Sequence, residues 1–172
     1  MAIRNLNKLN KQLTKVLKKY GVNSVTVNTD LDGFEYHCED NSISISIRDT
    51  SENLGYSWFE EFIERRFNYK AINPFMILLF HEIGHANTTI NTLNDYFEPK
   101  RIKLYERMGV EYDTLNESKS VYFEYFDSVE EIVATAWAVD YMKNHEVEIA
   151  KLFYKIIKIL KRFYKANNVT ED

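Results

Sequence analysis

Apolar residues in the first part of the chain recur at helical spacing and then at every second position. The helical run ends at Gly21 and predicts an amphipathic helix that contains Leu6, Leu9, Leu13, Val16, Leu17 and Tyr20. Apolar and polar residues then alternate over 24–29, 34–38 and 42–49, which predicts three short strands. Because the turn sequence DLDG lies between the first two, we expect a mostly antiparallel three-stranded sheet arranged as a meander.

Helical patterns resume after the predicted strands. Ser57 and Glu60 form a capping-box pattern, which predicts that a helix over WFEEFIERRFNYK begins there. Asn73 and Pro74 predict the N-cap and the first residue of the next helix, which should run through the sequence HEIGH to about residue 90.

The last part of the sequence combines an irregular stretch with two long helical patterns. Residues 91–120 are polar with one short predicted helix, PKRIKLYERMG, and the aromatic run VYFEYF at 121–126 fits either a strand or a packed loop. Two helices follow, VEEIVATAWAVDYMKN and VEIAKLFYKIIKILKRFYKAN. This order of one helix, a small sheet and a helical half predicts an α+β fold.

Length and apolar content limit the class of protein. The 172 residues fit a single domain spanning 1–172, since one core serves roughly 100 to 200 residues. The longest uncharged apolar run, PFMILLF at 74–80, is shorter than the roughly 18 residues of a membrane span. The first residues, MAIRNLNKLNKQ, lack the apolar region of a secretory signal. We therefore expect a cytoplasmic protein without membrane contact.

Positive charge is concentrated in the first and last segments. Residues 1–20 carry six Lys/Arg and no acid, and residues 146–172 carry six against four acids, although the net charge of the chain is -4. Such segments could face nucleic acid. The basic residues of the last segment alternate with apolar ones as on a helix packed against a core, and no recognition motif accompanies them. We therefore do not expect nucleic acid as a partner.

The sequence HEIGH has the residue types and spacing of a metal site. His81 and His85 lie one helical turn apart, so their imidazoles can point to one place. Because Cys38 is the only cysteine, a metal would have to be held by histidine and carboxylate. The preceding MILLF predicts a helix buried on every side, where polar residues need compensation that a metal would supply. We therefore predict zinc on His81 and His85 rather than a structural histidine pair.

Glu82 has the position of a general base. It is rotated by about 100° from His81 around the helix, which keeps its carboxylate out of the ligand set. From there the carboxylate can reach a water molecule on the metal. Zinc lowers the pKa of its bound water from about 15.7 to about 7, so that Glu82 could take the proton at neutral pH.

A catalytic zinc ion usually has three protein ligands and one water, so a third ligand must come from elsewhere. His37 and His145 remain open as candidates. Glu131 is favoured because small residues follow it on the same helical face and would let that helix lie close to the HEIGH helix; these residues are Ala134, Thr135 and Ala138. Gly84, between the two histidines, would likewise permit close approach of another backbone.

Glu130 is the alternative ligand in the same helix. A capping box would use Glu130 if Asp127 is the N-cap, and Glu131 if Ser128 is the N-cap. The first choice leaves Glu131 for the metal, and the small residues follow the face of Glu131. The prediction is therefore Glu131.

These features resemble the HExxH zinc metallopeptidases with a glutamate third ligand, most nearly the ImmA/IrrE-like group of phages and other mobile elements. In that group an HExGH helix is followed by a helix of the form E-x-x-A-N-x-F-A. Here the first motif is HEIGH, and the second begins at Glu131 with Thr135 in place of Asn and Trp137 in place of Phe. The 45 residues between His85 and Glu131 exceed the usual gap, which predicts an inserted segment.

The resemblance implies a small zincin-like domain in which His81, His85 and Glu131 hold zinc and Glu82 is the catalytic base. It also implies a metallopeptidase that cuts a protein or peptide substrate, as members of the group cut a repressor protein. The alternative is a non-catalytic zincin-like protein with an interaction or regulatory role in a phage or mobile element.

Overall fold

The computed structural model contains an N-terminal helix, a three-stranded sheet and further helices, which confirms the predicted α+β class. The residues that the structure describes are 6–28, 33–46, 54–70, 73–88 and 129–167. The chain divides into two units, one made of Met1–Arg48 with Asp140–Asp172 and the other of Asp49–Val139. The expectation of one domain over 1–172 stays a prediction.

Helix α1 spans Leu6–Leu17 and continues as a 3₁₀ turn over Lys18–Tyr20. Its predicted apolar stripe is buried at Leu9, Leu13, Val16 and Leu17. Gly21 ends the turn with φ 98°, and its N–H donates to the carbonyl of Lys18. This left-handed conformation is one that glycine adopts at little cost, so the predicted helix end at Gly21 is confirmed.

The three predicted strands are present, but their order differs from that of a meander. Strand β1 spans Ser24–Asn28, β2 spans Phe34–His37 and β3 spans Ser42–Ser46. β3 lies in the centre and pairs in parallel with β1 and antiparallel with β2. The sheet is therefore mixed, and the expectation of a mostly antiparallel meander is wrong.

Burial explains why β3 takes the centre. Ile43 and Ile45 are almost completely buried, and Ser42 and Ser46 are buried as well, so β3 is covered on both faces. In β1 only alternate residues are buried, and none of the four residues of β2 is. The alternation in the sequence reveals one apolar face of β3, but it does not reveal that the serine face is covered too.

Side chains of α1 bind the outer edge of β1. The backbone N–H of Val25 donates to Oγ1 of Thr14 at 2.9 Å, and that of Val27 donates to Oδ1 of Asn10 at 3.0 Å. Four residues of helix and two residues of strand both rise about 6 Å. The two bonds therefore place α1 alongside β1 in the opposite direction.

Two helices of the second unit follow the sheet along the sequence. Helix α2 spans Leu54–Phe67 and is followed by Asn68 in the left-handed conformation, with φ 48°. Because α2 begins before Ser57, the prediction that Ser57 and Glu60 cap its start is wrong. The spacing of a capping box also occurs inside a helix, where the serine is an ordinary helical residue.

Helix α3 carries the HEIGH sequence and spans Pro74–Asn87, slightly shorter than predicted. Asn73 has the extended backbone of an N-cap, but its side chain makes no capping hydrogen bond. The helix is deeply buried, as its apolar sequence predicts; its buried apolar residues are Met76, Ile77, Leu79, Phe80 and Ile83.

The last two described helices are α4, Val129–Asn144, and α5, Glu146–Asn167, in agreement with the predicted segments. The buried residues of α5 form one face made of Ile149, Leu152, Ile156, Leu160 and Phe163. Its lysines are all exposed, so the basic run is the solvent side of a packed helix. Among the described residues, no helix combines the length and apolarity that crossing a membrane requires.

Several sequence predictions lie outside the described residues. They include the short helix at 99–109, the strand or packed loop at 121–126, the capping role of Asp127 or Ser128, and most of the inserted segment between His85 and Glu131.

Candidate metal centre

Helices α3 and α4 come into backbone contact between the predicted ligands. A Cβ atom on Gly84 would lie 2.4 Å from the carbonyl oxygen of Ala134 and 3.1 Å from its Cα. Ala134, Thr135 and Ala138 are each 0% exposed, so the stripe of small residues is fully buried. The prediction that Gly84 permits close approach of another backbone is confirmed.

This approach brings three predicted residues to one point. Nε2 of His81 lies 2.8 Å from Oε2 of Glu131, and Nε2 of His85 lies 3.5 Å from the same oxygen. The two Nε2 atoms are 3.3 Å apart. All three side chains are buried or nearly so, and they lie close enough to bind one metal ion.

The size of this triangle fits a small tetrahedral ion. Zinc ligands at about 2.0–2.2 Å from the metal and at tetrahedral angles are separated from one another by about 3.3–3.5 Å. Two of the three separations, 3.3 and 3.5 Å, match that range, and the third, 2.8 Å, is a hydrogen-bonding distance. An increase of about half an ångström in the distance between His81 and Glu131 would complete tetrahedral spacing.

Charge in the cluster is arranged to hold a cation. Burial alone raises the pKa of the Glu131 carboxyl, but the charge of His85 and hydrogen bonds with both histidines lower it well below its usual range. Burial lowers the pKa of His85, but the charge and hydrogen bond of Glu131 outweigh this effect and raise it to about 9. Zinc binds neutral imidazole, so a metal ion in this position would take the place of a proton that the Glu131 carboxylate stabilises on His85.

Two further side chains hold the ring of His81. The ring of Phe59, on α2, meets it edge to face, with centroids 4.9 Å apart. The other ring nitrogen, Nδ1, lies 3.0 Å from Oγ1 of Thr135. The orientation of His81 is therefore fixed by α2 and α4 as well as by its own helix.

Glu82 lies beside the cluster without joining it. Its side chain is buried, at 7% exposure, and its charge contributes to the raised pKa of His85. The group of mutually close ligand atoms contains His81, His85 and Glu131 but not Glu82. This placement agrees with the sequence argument that Glu82 stands outside the ligand set.

The other candidate ligands have different surroundings. Glu130 is only partly buried and lies outside the group of close ligand atoms, although its charge reaches His85. His37 belongs to the first unit, where its Nε2 lies 2.8 Å from Oγ of Ser44. His145 is also in that unit, and its Nδ1 lies 2.8 Å from the carbonyl oxygen of Tyr141.

Sequence reasoning did not identify the roles of Thr135 and Phe59. Thr135 follows Glu131 by four residues and so lies on the same helical face, a signal that was present in the sequence. Its hydroxyl, rather than its small size, provides the contact with His81. Phe59 lies on a different helix and had no local signal.

Comparisons of the chain with protein-family models, with curated proteins and with solved structures find no match. The geometry of the cluster is therefore the basis for any functional conclusion.

Proposed function

We propose that the protein is a zinc-dependent metallopeptidase with a zincin-like domain. The observation that carries this proposal is the convergence of two imidazole nitrogens and one carboxylate oxygen, all within 3.5 Å of one another, in a buried site. Such an arrangement is costly unless a cation or protons occupy it. The resemblance of HEIGH and the Glu131 helix to the ImmA/IrrE-like group supports the same function.

The donor set suits zinc better than other common metal ions. Neutral imidazole and carboxylate are typical zinc ligands, whereas magnesium and calcium prefer sites made of oxygen atoms alone. Three protein ligands leave a fourth tetrahedral position open to water or substrate, as in catalytic zinc sites. A zinc ion held there would acidify bound water and polarise a substrate carbonyl.

Glu82 is the proposed general base. Its carboxylate lies in a buried setting next to the ligands, where it can accept a proton from the attacking water and pass it to the leaving amine. Burial limits exchange of that proton with solvent. The substrate in this proposal is a protein or peptide in the cytoplasm, and a repressor is the candidate that the resemblance suggests.

The second candidate is a non-catalytic protein with a zincin-like fold. One observation favours it: Nε2 of His81 lies 2.8 Å from Oε2 of Glu131, which is close enough for an ion pair without a metal. In that case the cluster would be a buried ion pair that supports the contact between α3 and α4. The variants His81→Ala and Glu82→Gln distinguish this candidate from the enzyme.

The deciding experiment compares His81→Ala with Glu82→Gln. We expect one zinc per chain in purified wild-type protein and in Glu82→Gln, measured by elemental analysis, and none in His81→Ala. New protein termini should appear in cells that produce the wild type and be absent with Glu82→Gln, which keeps zinc and fold. Zinc without new termini would support the non-catalytic candidate, and absence of zinc would refute the proposal.

A further inference from the structure

Thr135 makes a polar contact with the side of His81 that faces away from the cluster. It lies on α4 one turn after Glu131, and its side chain is completely buried. Oγ1 of Thr135 is 3.0 Å from Nδ1 of His81. A buried hydroxyl costs free energy unless it is hydrogen-bonded, and the imidazole meets that need. Helix α4 therefore contacts both ring nitrogens of His81, through Glu131 and through Thr135.

We propose that Thr135 is a positioning residue that holds His81 with the lone pair of Nε2 directed at the metal. The inference rests on metal binding in the proposed function. A neutral imidazole carries a single ring proton, so Nε2 can bind a metal only when that proton is on Nδ1. Oγ1 of Thr135 accepts the Nδ1–H, which stabilises the metal-binding tautomer and fixes the plane of the ring.

A hydroxyl also suits the metal-free protein, because it can donate as well as accept. In the metal-free protein, Oγ1 of Thr135 can either donate to Nδ1 of His81 or accept from it, depending on which ring nitrogen carries the proton. A metal bound at Nε2 would require the ring proton to be on Nδ1, and the Thr135 hydroxyl would then accept that N–H.

Among the described residues around His81, Thr135 is the one that can form a hydrogen bond with Nδ1. The ring edge meets Phe59, an apolar side chain that offers no hydrogen bond to Nδ1. His85 and Glu131 both lie at Nε2. Loss of the Thr135 hydroxyl would leave Nδ1 buried with no protein partner among these neighbours.

The test compares Thr135→Val, which keeps the shape and removes the hydroxyl, with Thr135→Ser, which keeps the hydroxyl. Zinc affinity is measured by competition with a chromophoric chelator. We expect roughly 10- to 100-fold weaker binding in Thr135→Val, as for other partners of metal-bound histidines. Thr135→Ser should stay within about threefold of the wild type. If Thr135→Val does not fold, Thr135→Ala is used in its place.

Thr14→Val is the matched control. It removes a hydroxyl that accepts a hydrogen bond from the backbone N–H of Val25 in the other unit. We expect lower stability but unchanged zinc affinity. This control separates a specific effect on His81 from a general loss of stability.

A second measurement follows the tautomer itself through the ring ¹⁵N chemical shifts of His81. In zinc-loaded wild type and Thr135→Ser, Nδ1 should be protonated and slow to exchange its proton, whereas Thr135→Val should exchange faster. Equal affinity and equal exchange in Thr135→Val would overturn the inference. If the wild type binds no zinc, the proposed function fails. In that case, the tautomer of His81 in the metal-free protein tests the role of Thr135. A ratio of the two tautomers that is unchanged in Thr135→Val would overturn that role as well.

Discussion

Nε2 of His81 and Oε2 of Glu131 lie 2.8 Å apart, although the two residues belong to different helices. This contact predicts that Glu131→Gln greatly weakens zinc binding, because an amide oxygen lacks the charge that a zinc ligand supplies. The loss should exceed the roughly 100-fold that removal of an outer partner costs. Chelator competition measures it. Glu130→Gln, altered at the neighbouring position, is the matched control and should bind zinc within a few-fold of the wild type.

Zinc should stabilise the folded chain by linkage, since the complete ligand set exists only when α3 and α4 are in contact. At a free zinc concentration of about 100 times the dissociation constant, the free energy of unfolding should rise by about 2.7 kcal/mol. Denaturant titrations with and without zinc measure the change. Magnesium should produce no comparable rise, because it prefers octahedral oxygen sites. An equal rise in Glu131→Gln would contradict the proposed ligand set.

Gly84→Ala should destabilise the protein and weaken zinc binding together. Alanine in a helix is ordinarily favoured over glycine by about 1 kcal/mol. Here the added Cβ would meet the carbonyl oxygen of Ala134 at 2.4 Å, so the helices must separate. Overpacking of this kind costs about 1–3 kcal/mol, which should outweigh the helical gain. Thermal unfolding and zinc affinity measure the two effects.

A second variant checks the cause of that loss. The atoms that a Cβ on Gly84 would meet belong to the backbone of Ala134. Adding Ala134→Gly to Gly84→Ala should therefore fail to restore zinc affinity. Restoration would show that side-chain volume, rather than backbone contact, limits the approach of the helices.

The first unit contains an ion pair whose effect should depend on pH. Lys19 and Tyr20 both donate hydrogen bonds to Oε1 of Glu148, and these bonds lower the pKa of that carboxyl. A pKa that is lower in the folded state stabilises the protein above the unfolded value of about 4.3. The contribution is then lost as pH falls through the folded pKa. Because both charged side chains are substantially exposed, we expect less than about 1 kcal/mol.

The variant Glu148→Gln measures this contribution. Its free energy of unfolding should fall below that of the wild type at pH 7, and the two should converge as the pH falls through the lowered pKa of Glu148. Glu146→Gln changes an exposed carboxylate in the same first turn of α5 and serves as the control for helix-dipole effects. A difference that grows toward low pH would contradict the assignment.

Local patterns predicted most helices of the fold and the residues of the cluster. The bounds of α4 and α5 agree with the sequence because the apolar spacing and the flanking polar residues both point to the same ends. Glu131 was placed correctly beside the histidines because a small-residue stripe has a simple geometric meaning: it marks where two helices can approach closely.

The order of the strands and the contacts of His81 could not be predicted in the same way. Both depend on which residues of other helices or strands a residue contacts. The spacing of residues in the sequence indicates only which residues share a face of the same helix or strand. Ser42 and Ser46 look like solvent-facing positions but are buried in the central strand. Thr135 looks like a small spacer, yet its hydroxyl meets Nδ1 of His81.

The bonds from Val25 and Val27 to α1 also restrict how copies of the protein can associate. An exposed strand edge offers unpaired N–H groups that can recruit a strand from another molecule and lead to aggregation. Asn10 and Thr14 already accept the outward N–H groups of β1. The sheet therefore cannot be extended past β1 unless α1 first leaves it.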